Sequence, residues 1–191
     1  IEADGDYEKA QDIIRERGKL VAAKRADRSA TEGVVVSKIV GQKGYMLCLA
    51  CETDFVAKNS EFSATANEIL DIAIAADAAD LEALNAVAAD GRTVADKVTE
   101  KSGQTGEKVE LVYYAKIEAP MCVTYIHTNH KLGTLIGFNK EIGMEVAKDV
   151  AMQAAAMAPI SISREDCDPA VIEHERSIGR EQARLDGKPE A

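Results

Sequence analysis

Two hairpin-then-helix runs constrain this chain more than any other feature of its sequence. The β-branched stretch Val34-Val35-Val36-Ser37-Lys38-Ile39-Val40 leads into the turn residues Gly41-Gln42-Lys43-Gly44, and an apolar run returns from Tyr45 to Cys51. A β-branched arm, a turn with two glycines and an apolar return arm predict an antiparallel hairpin. A helix should follow from about Ser60, with Asn59 or Ser60 as its cap. Phe62, Ala66, Ile69 and Ala73 recur at spacings that put them on one helical face. The same order returns at Met121 to His127 and Leu132 to Phe138, around Thr128-Asn129-His130-Lys131, before a helix over 140–158 carrying Ile142, Val146, Val150 and Ala154.

Helices and antiparallel strands in blocks make the expected class α+β. We expect two subdomains, each a hairpin-based sheet packed against helices, with a hint of duplication between 33–75 and 121–158. Residues 1–26 read as a terminal helix and linker, the last helix of something upstream. Residues 27–120 read as the first core subdomain, and 121–191 as a truncated second one. Within the first, the Ala-rich segment from Ala73 to Ala89 is expected to be helical to about Asp90-Gly91. A short helix is expected from Thr93 to Lys101, then a loop at Gly103 and Gly106, then a strand from Val109 to Ala119. The first helix, Asp6 to about Ala23, has Gly18 as a candidate stop. A charged helix is expected from Pro169 to Leu185, ending in Gly187-Lys188-Pro189.

The net charge of −10, from 33 acidic and 23 basic residues, argues against direct nucleic-acid binding, which draws its affinity from Lys and Arg. It fits a protein partner or simple solubility. No apolar run approaches the roughly 20 residues needed to span a bilayer, so no membrane association is expected. Cys48 and Cys51 have a spacing that invites a redox or zinc reading. On a strand, however, residues three apart point to opposite faces, and no second ligand pair completes a zinc site. Buried small thiols in a reducing cytoplasm are the expectation, and neither metal nor cofactor is expected.

At Thr53-Asp54-Phe55-Val56-Ala57-Lys58-Asn59 the chain resembles the signature of the elongation factor Ts family. Other segments agree with that family in order: Asp4-Gly5-Asp6 with Ala10, Arg17-Gly18 and Ala22-Ala23-Lys24; Glu32-Gly33-Val34-Val35; Tyr125-Ile126-His127; Leu132-Gly133 with Leu135-Ile136; Ala158-Pro159; and Gly187-Lys188-Pro189. The resemblance implies a guanine-nucleotide exchange factor for the GTPase elongation factor Tu, working without covalent chemistry and without catalytic residues. It implies that Phe55 is a wedge between two helices of the GTPase, with Asp54 its polar neighbour, Thr53 and Val56 beside it, and His127 in a supporting contact. It also implies the cytoplasm.

From the residues alone, Phe55 could equally pack inward against Phe62, with Thr53 or Asp54 capping one helical turn, and His127 could be a satisfied strand-end histidine. Family members occur as monomers and as dimers through the second subdomain, so a homodimer stays open. The family has a small N-terminal three-helix domain, of which the resemblance implies residues 1–26 are the terminal helix and linker, and a coiled-coil extension. The chain reads as a piece truncated at both ends, expected to exchange less efficiently than its parent. The alternatives are a silent binding or dimerisation fragment of the same factor and, from another class, a thiol-redox protein.

Overall fold

The structure, a computed structural model, describes residues 2–188. They fall into two compact units divided between Ala155 and Ala156. The first begins with helix α1 (Tyr7–Lys24), capped by the Asp6 carboxylate, which accepts the Lys9 amide. Strands β1 (Glu32–Val40) and β2 (Lys43–Cys51) then form the hairpin, paired in register from Glu32 opposite Cys51 to Val40 opposite Lys43. After them come the single turn α2 (Asp54–Ala57) and the long helix α3 (Ser60–Ala76). A short helix α4 (Leu81–Ala86), a two-residue ribbon of β3 (Ala88–Ala89) and β4 (Arg92–Thr93), and helix α5 (Val94–Thr105) follow. Strand β5 (Glu110–Glu118) joins β2 antiparallel, so the first sheet has the order β1-β2-β5. Strands β6 (Met121–Ile126) and β7 (Gly133–Phe138) make a second, two-stranded sheet, and α6 (Met144–Met157) follows it. The class is α+β.

Alternation along the strands explains the core. Val34, Val36, Tyr45, Leu47, Leu49 and Cys51 turn to one face of the first sheet and meet Phe62, Ala66, Ile69, Leu70 and Ala73 of α3. That is the stripe legible in the sequence. On the opposite face lies the β6–β7 hairpin, close enough that a Cβ on Gly44 would sit 2.5 Å from a Leu135 methyl.

Four local expectations are corrected. The Ala-rich segment is not one helix. Asp77 takes a left-handed conformation (φ 47°) and ends α3, because its carboxylate is drawn down to the sheet end by Lys43 (3.0 Å), Lys116 (3.2 Å) and the Tyr45 hydroxyl (3.1 Å). Further on, Asp90 and Gly91 both have positive φ, the geometry of a tight hairpin turn, so Ala88 and Ala89 pair as strand. The helix predicted to end at Lys101 runs to Thr105, held at its start by a Thr93–Asp96 capping box and stopped by Gly106 at φ 72°. Nor does Gly18 end α1. Gly18 and Gly103 face each other across the α1–α5 crossing, where a Cβ on Gly103 would lie 2.7 Å from the Gly18 backbone. Glycine serves there for close approach of two helices, not for termination. Finally, α6 buries Ala147, Ala151 and Ala155, while Val146 and Val150 are exposed. Small residues let the helix lie close on β6–β7, and the larger residues of the expected stripe turn outward.

The Asp77 junction titrates. Hydrogen bonds from Lys43, Lys116 and Tyr45 hold its carboxyl down to about 2. A depressed folded value contributes stability that is present above the unfolded value and lost as pH falls through the folded one. Here that window is about pH 4 to 2. We expect the urea-midpoint difference between wild type and Asp77→Asn, a residue that also tolerates the left-handed conformation, to be constant above pH 5 and to shrink through that window. A difference unchanged between pH 5 and 2 would show that the junction charge does not contribute.

Described by itself, the second unit contains the helix α7 (Pro169–Leu185), with Pro169 in its first turn and the Asp168 carboxylate accepting the Ala170 amide at 2.8 Å. Glu173 accepts from Arg180 along it at 3.0 Å. Gly187 follows with φ 68°. Pro189, the last member of the predicted Gly-Lys-Pro end, lies outside the described residues.

Candidate partner-binding site

Where β2 ends, the chain makes one isolated helical turn. Thr53, in extended conformation, is its cap, and the Thr53 hydroxyl accepts the Val56 amide at 3.5 Å. Cations and anions arrange themselves along that turn: Asp54 pairs with Lys58 one turn on, at 2.6 Å. The hydrogen bond from Lys58 holds the Asp54 carboxyl below the usual carboxylate range. Phe55 points away from the core and is 86% exposed, whereas Phe62 is 1% exposed. Val56 is half-buried and packs against the core cluster.

A single turn of four residues has too few internal bonds to hold itself. Its support comes from a segment far away in sequence. One oxygen of the Glu107 carboxylate accepts the amides of Glu52 (3.1 Å) and Thr53 (3.0 Å), and the other accepts the Thr53 hydroxyl (2.6 Å). Reciprocally, the Glu52 carboxylate accepts the Lys108 amide (2.7 Å) and both oxygens receive Arg25 (2.8 Å). The Lys108 amide and then Arg25 hold the Glu52 carboxyl below its ordinary value. The Lys108 ammonium reaches the Ala26 carbonyl at 3.2 Å, so the linker after α1 is pinned to the base of the same turn. None of Arg25, Glu52, Glu107 and Lys108 stands out in the sequence. Each lies in an ordinary charged context, and the bonds join residues 27 to 82 apart.

His127 is exposed at the end of β6. Its Nδ1 lies 2.9 Å from the Tyr125 hydroxyl, and its amide donates to the Leu132 carbonyl at 2.8 Å. The turn it opens folds back toward the isolated helical turn, because the His130 carbonyl accepts the Val35 amide at 2.7 Å and the Lys131 ammonium pairs with Glu32. A cleft of about 490 Å³ runs between Asp54, Ala57 and Lys58 on one wall and Asn129, His130 and Lys131 on the other. Asp54 thus lines a cleft whose other wall is the loop that follows His127, 73 residues further on. Thr53, Asp54, Phe55 and Val56 share one element, and His127 sits on a neighbouring one outside the cleft wall.

The thiols do not form a pair. Cys51 is fully buried, and its Sγ lies 3.2 Å from the Thr53 carbonyl oxygen. Burial first, and then the Glu107 charge, pushes the Cys51 thiol up to about 12; burial raises Cys48 as well. A thiolate is scarce at either position near neutral pH, which opposes the redox reading. Among the described residues no group of three or more Cys, His, Asp or Glu could hold a metal ion. No helix among them is long and apolar enough to cross a membrane.

Comparison with known proteins gives consistent findings. A family model described as Elongation factor TS matches residues 52–191. The chain is 46% identical over 190 residues to a protein named Elongation factor Ts from Porphyromonas gingivalis, covering 99% of this chain and 69% of that protein. A protein of the same name from Azobacteroides pseudotrichonymphae is 42% identical over 191 residues, covering 100% of this chain and 70% of its own length. One from Bacteroides thetaiotaomicron is 42% identical over 186 residues, covering 97% and 56% respectively.

Proposed function

The chain belongs to the elongation factor Ts family, and from that membership we propose that it is a guanine-nucleotide exchange factor for the translation GTPase elongation factor Tu. The observation that carries the reading is the Phe55 ring, 86% exposed on a braced turn. An aromatic ring left in water is a group whose burial is still to be gained. Docking it would remove about 150–250 Å² from water, roughly 4–6 kcal/mol at ~25 cal/mol per Å² before ordering costs. That gain can drive apart two packed helices of a partner.

In this reading Phe55 is the wedge and inserts between helices of the GTPase domain near the nucleotide, disturbing the bound Mg²⁺ and the loop on the β-phosphate. Thr53 caps the turn that carries it, Val56 anchors the turn to the core, and Asp54 meets polar groups beside the wedge, exchanging its Lys58 pairing for a partner contact. His127 supports the same interface from the β6 end. No bond is made or broken in the nucleotide. The factor works by coupling: whatever factor by which it weakens GDP, GDP weakens it. The charge of −10 argues against a nucleic-acid partner, and family membership supports the cytoplasm as the chain's place of work.

The test is stimulated release. Elongation factor Tu loaded with a fluorescent GDP analogue is mixed with the chain and excess GDP. Release that accelerates with chain concentration toward a plateau is expected. Binding without acceleration would instead make the chain a silent binding fragment, and absence of binding would overturn the partner.

A further inference from the structure

We infer that Glu107 is the positioning residue of the exposed turn: its carboxylate holds the Glu52–Thr53 backbone so that Phe55 is presented in one orientation. This rests on the wedge reading of Phe55 and adds what aims it.

The four-residue turn cannot orient itself, and its own cap is long, at 3.5 Å. Two consecutive amides, of Glu52 and Thr53, converge on one Glu107 oxygen, and the Thr53 hydroxyl takes the other. Three donors from two adjacent residues on one carboxylate define both the direction and the roll of the backbone that enters the turn. A charged acceptor makes each of those bonds stronger than a neutral one. The holder is itself held. Gly106 ends α5 in the left-handed conformation, and the Glu107 amide donates to the Thr105 hydroxyl at 3.3 Å. The α5 helix is in turn locked against α1 at the Gly18–Gly103 crossing. Glu52 then returns a bond to the Lys108 amide at 2.7 Å, so 52–53 and 107–108 clamp each other from both sides. Phe55 lies two residues beyond the clamp, where a small rotation at Thr53 becomes a large displacement of the ring.

Glu107→Gln and Glu107→Ala separate geometry from bulk loss. In Glu107→Gln the amide oxygen can still accept both backbone amides, and its NH₂ can donate to the Thr53 hydroxyl. The two backbone bonds survive without the charge, and the third reverses, with the Thr53 hydroxyl oxygen accepting where its proton was donated before. Stimulated release of the fluorescent GDP analogue is measured for both variants, alone and combined with Phe55→Ala, alongside unfolding temperature and amide hydrogen exchange at residues 52–56. We expect Glu107→Ala to slow release about tenfold and Glu107→Gln to stay within about threefold of wild type. In the Phe55→Ala background, Glu107→Ala should cost less than about twofold, because a residue acting through the ring loses its effect with the ring. Exchange at 52–56 should quicken in the alanine variant and not in the glutamine one.

Equal losses in both backgrounds would overturn the inference, as would a glutamine variant as slow as the alanine one. If Phe55→Ala slows release while neither Glu107 variant does, Glu107 has no positioning role and the function stands. If Phe55→Ala releases nucleotide as fast as wild type, the wedge reading falls, and this inference falls with it.

Discussion

Phe55→Ala is expected to slow stimulated GDP release by roughly 30- to 1,000-fold at subsaturating concentration, the kinetic equivalent of about 2–4 kcal/mol for truncating an aromatic anchor. The same substitution should leave stability within about 0.5 kcal/mol, since surface positions without special contacts rarely matter more. The ring is 86% exposed and belongs to no buried cluster among the described residues. Release kinetics and a urea titration on the same preparation separate the two effects. A variant that releases nucleotide normally, or one that unfolds early, would show that the ring does something other than meet a partner.

Phe62→Ala should do the reverse. This ring is 1% exposed, in contact with the inner face of the first sheet. Its removal takes away transfer free energy and leaves a cavity, for a loss of about 3–5 kcal/mol. Against a total stability of about 5–15 kcal/mol for a domain, that is a large share. The urea midpoint should fall steeply, and release should remain near wild type wherever the variant is still folded. A midpoint within error of wild type would mean that the core around α3 collapses to fill the space. Two phenylalanines seven residues apart thus make opposite predictions, and the pair is a sharper test than either alone.

Much of the fold is legible in the linear sequence. The β1–β2 and β6–β7 hairpins follow from alternation and turn residues, and the inward stripe of α3 follows from helical spacing. Those are local signals, written within a dozen residues. Two of the corrected expectations concern residues whose neighbours lie far along the chain. Gly18 and Gly103 carry the composition of stops, yet they occupy a helix crossing. Val146 and Val150 carry the spacing of a buried stripe, yet alanines one position on are buried instead. In both cases the residue type is plain along the chain, and the neighbour it meets in space is not. Glu107 is the extreme instance, an inconspicuous acid whose meaning lies 54 residues away.

The hairpins and the long helices along this chain were determined by the sequence itself, because backbone conformation answers mostly to side chains a few positions away; the end of α3 at Asp77 was decided by distant partners. The family was determined by the sequence as well, through segments that match in order. Whether Phe55 faces water was not, since helical spacing turns Phe62 inward but gives Phe55 no partner or face of its own, and only the packing of the first sheet and α3 leaves its ring outside. The bracing of the exposed turn was decided at the same level. A carboxylate becomes a clamp when tertiary packing brings three donors to it, and a distance across space has no signature in a linear spacing.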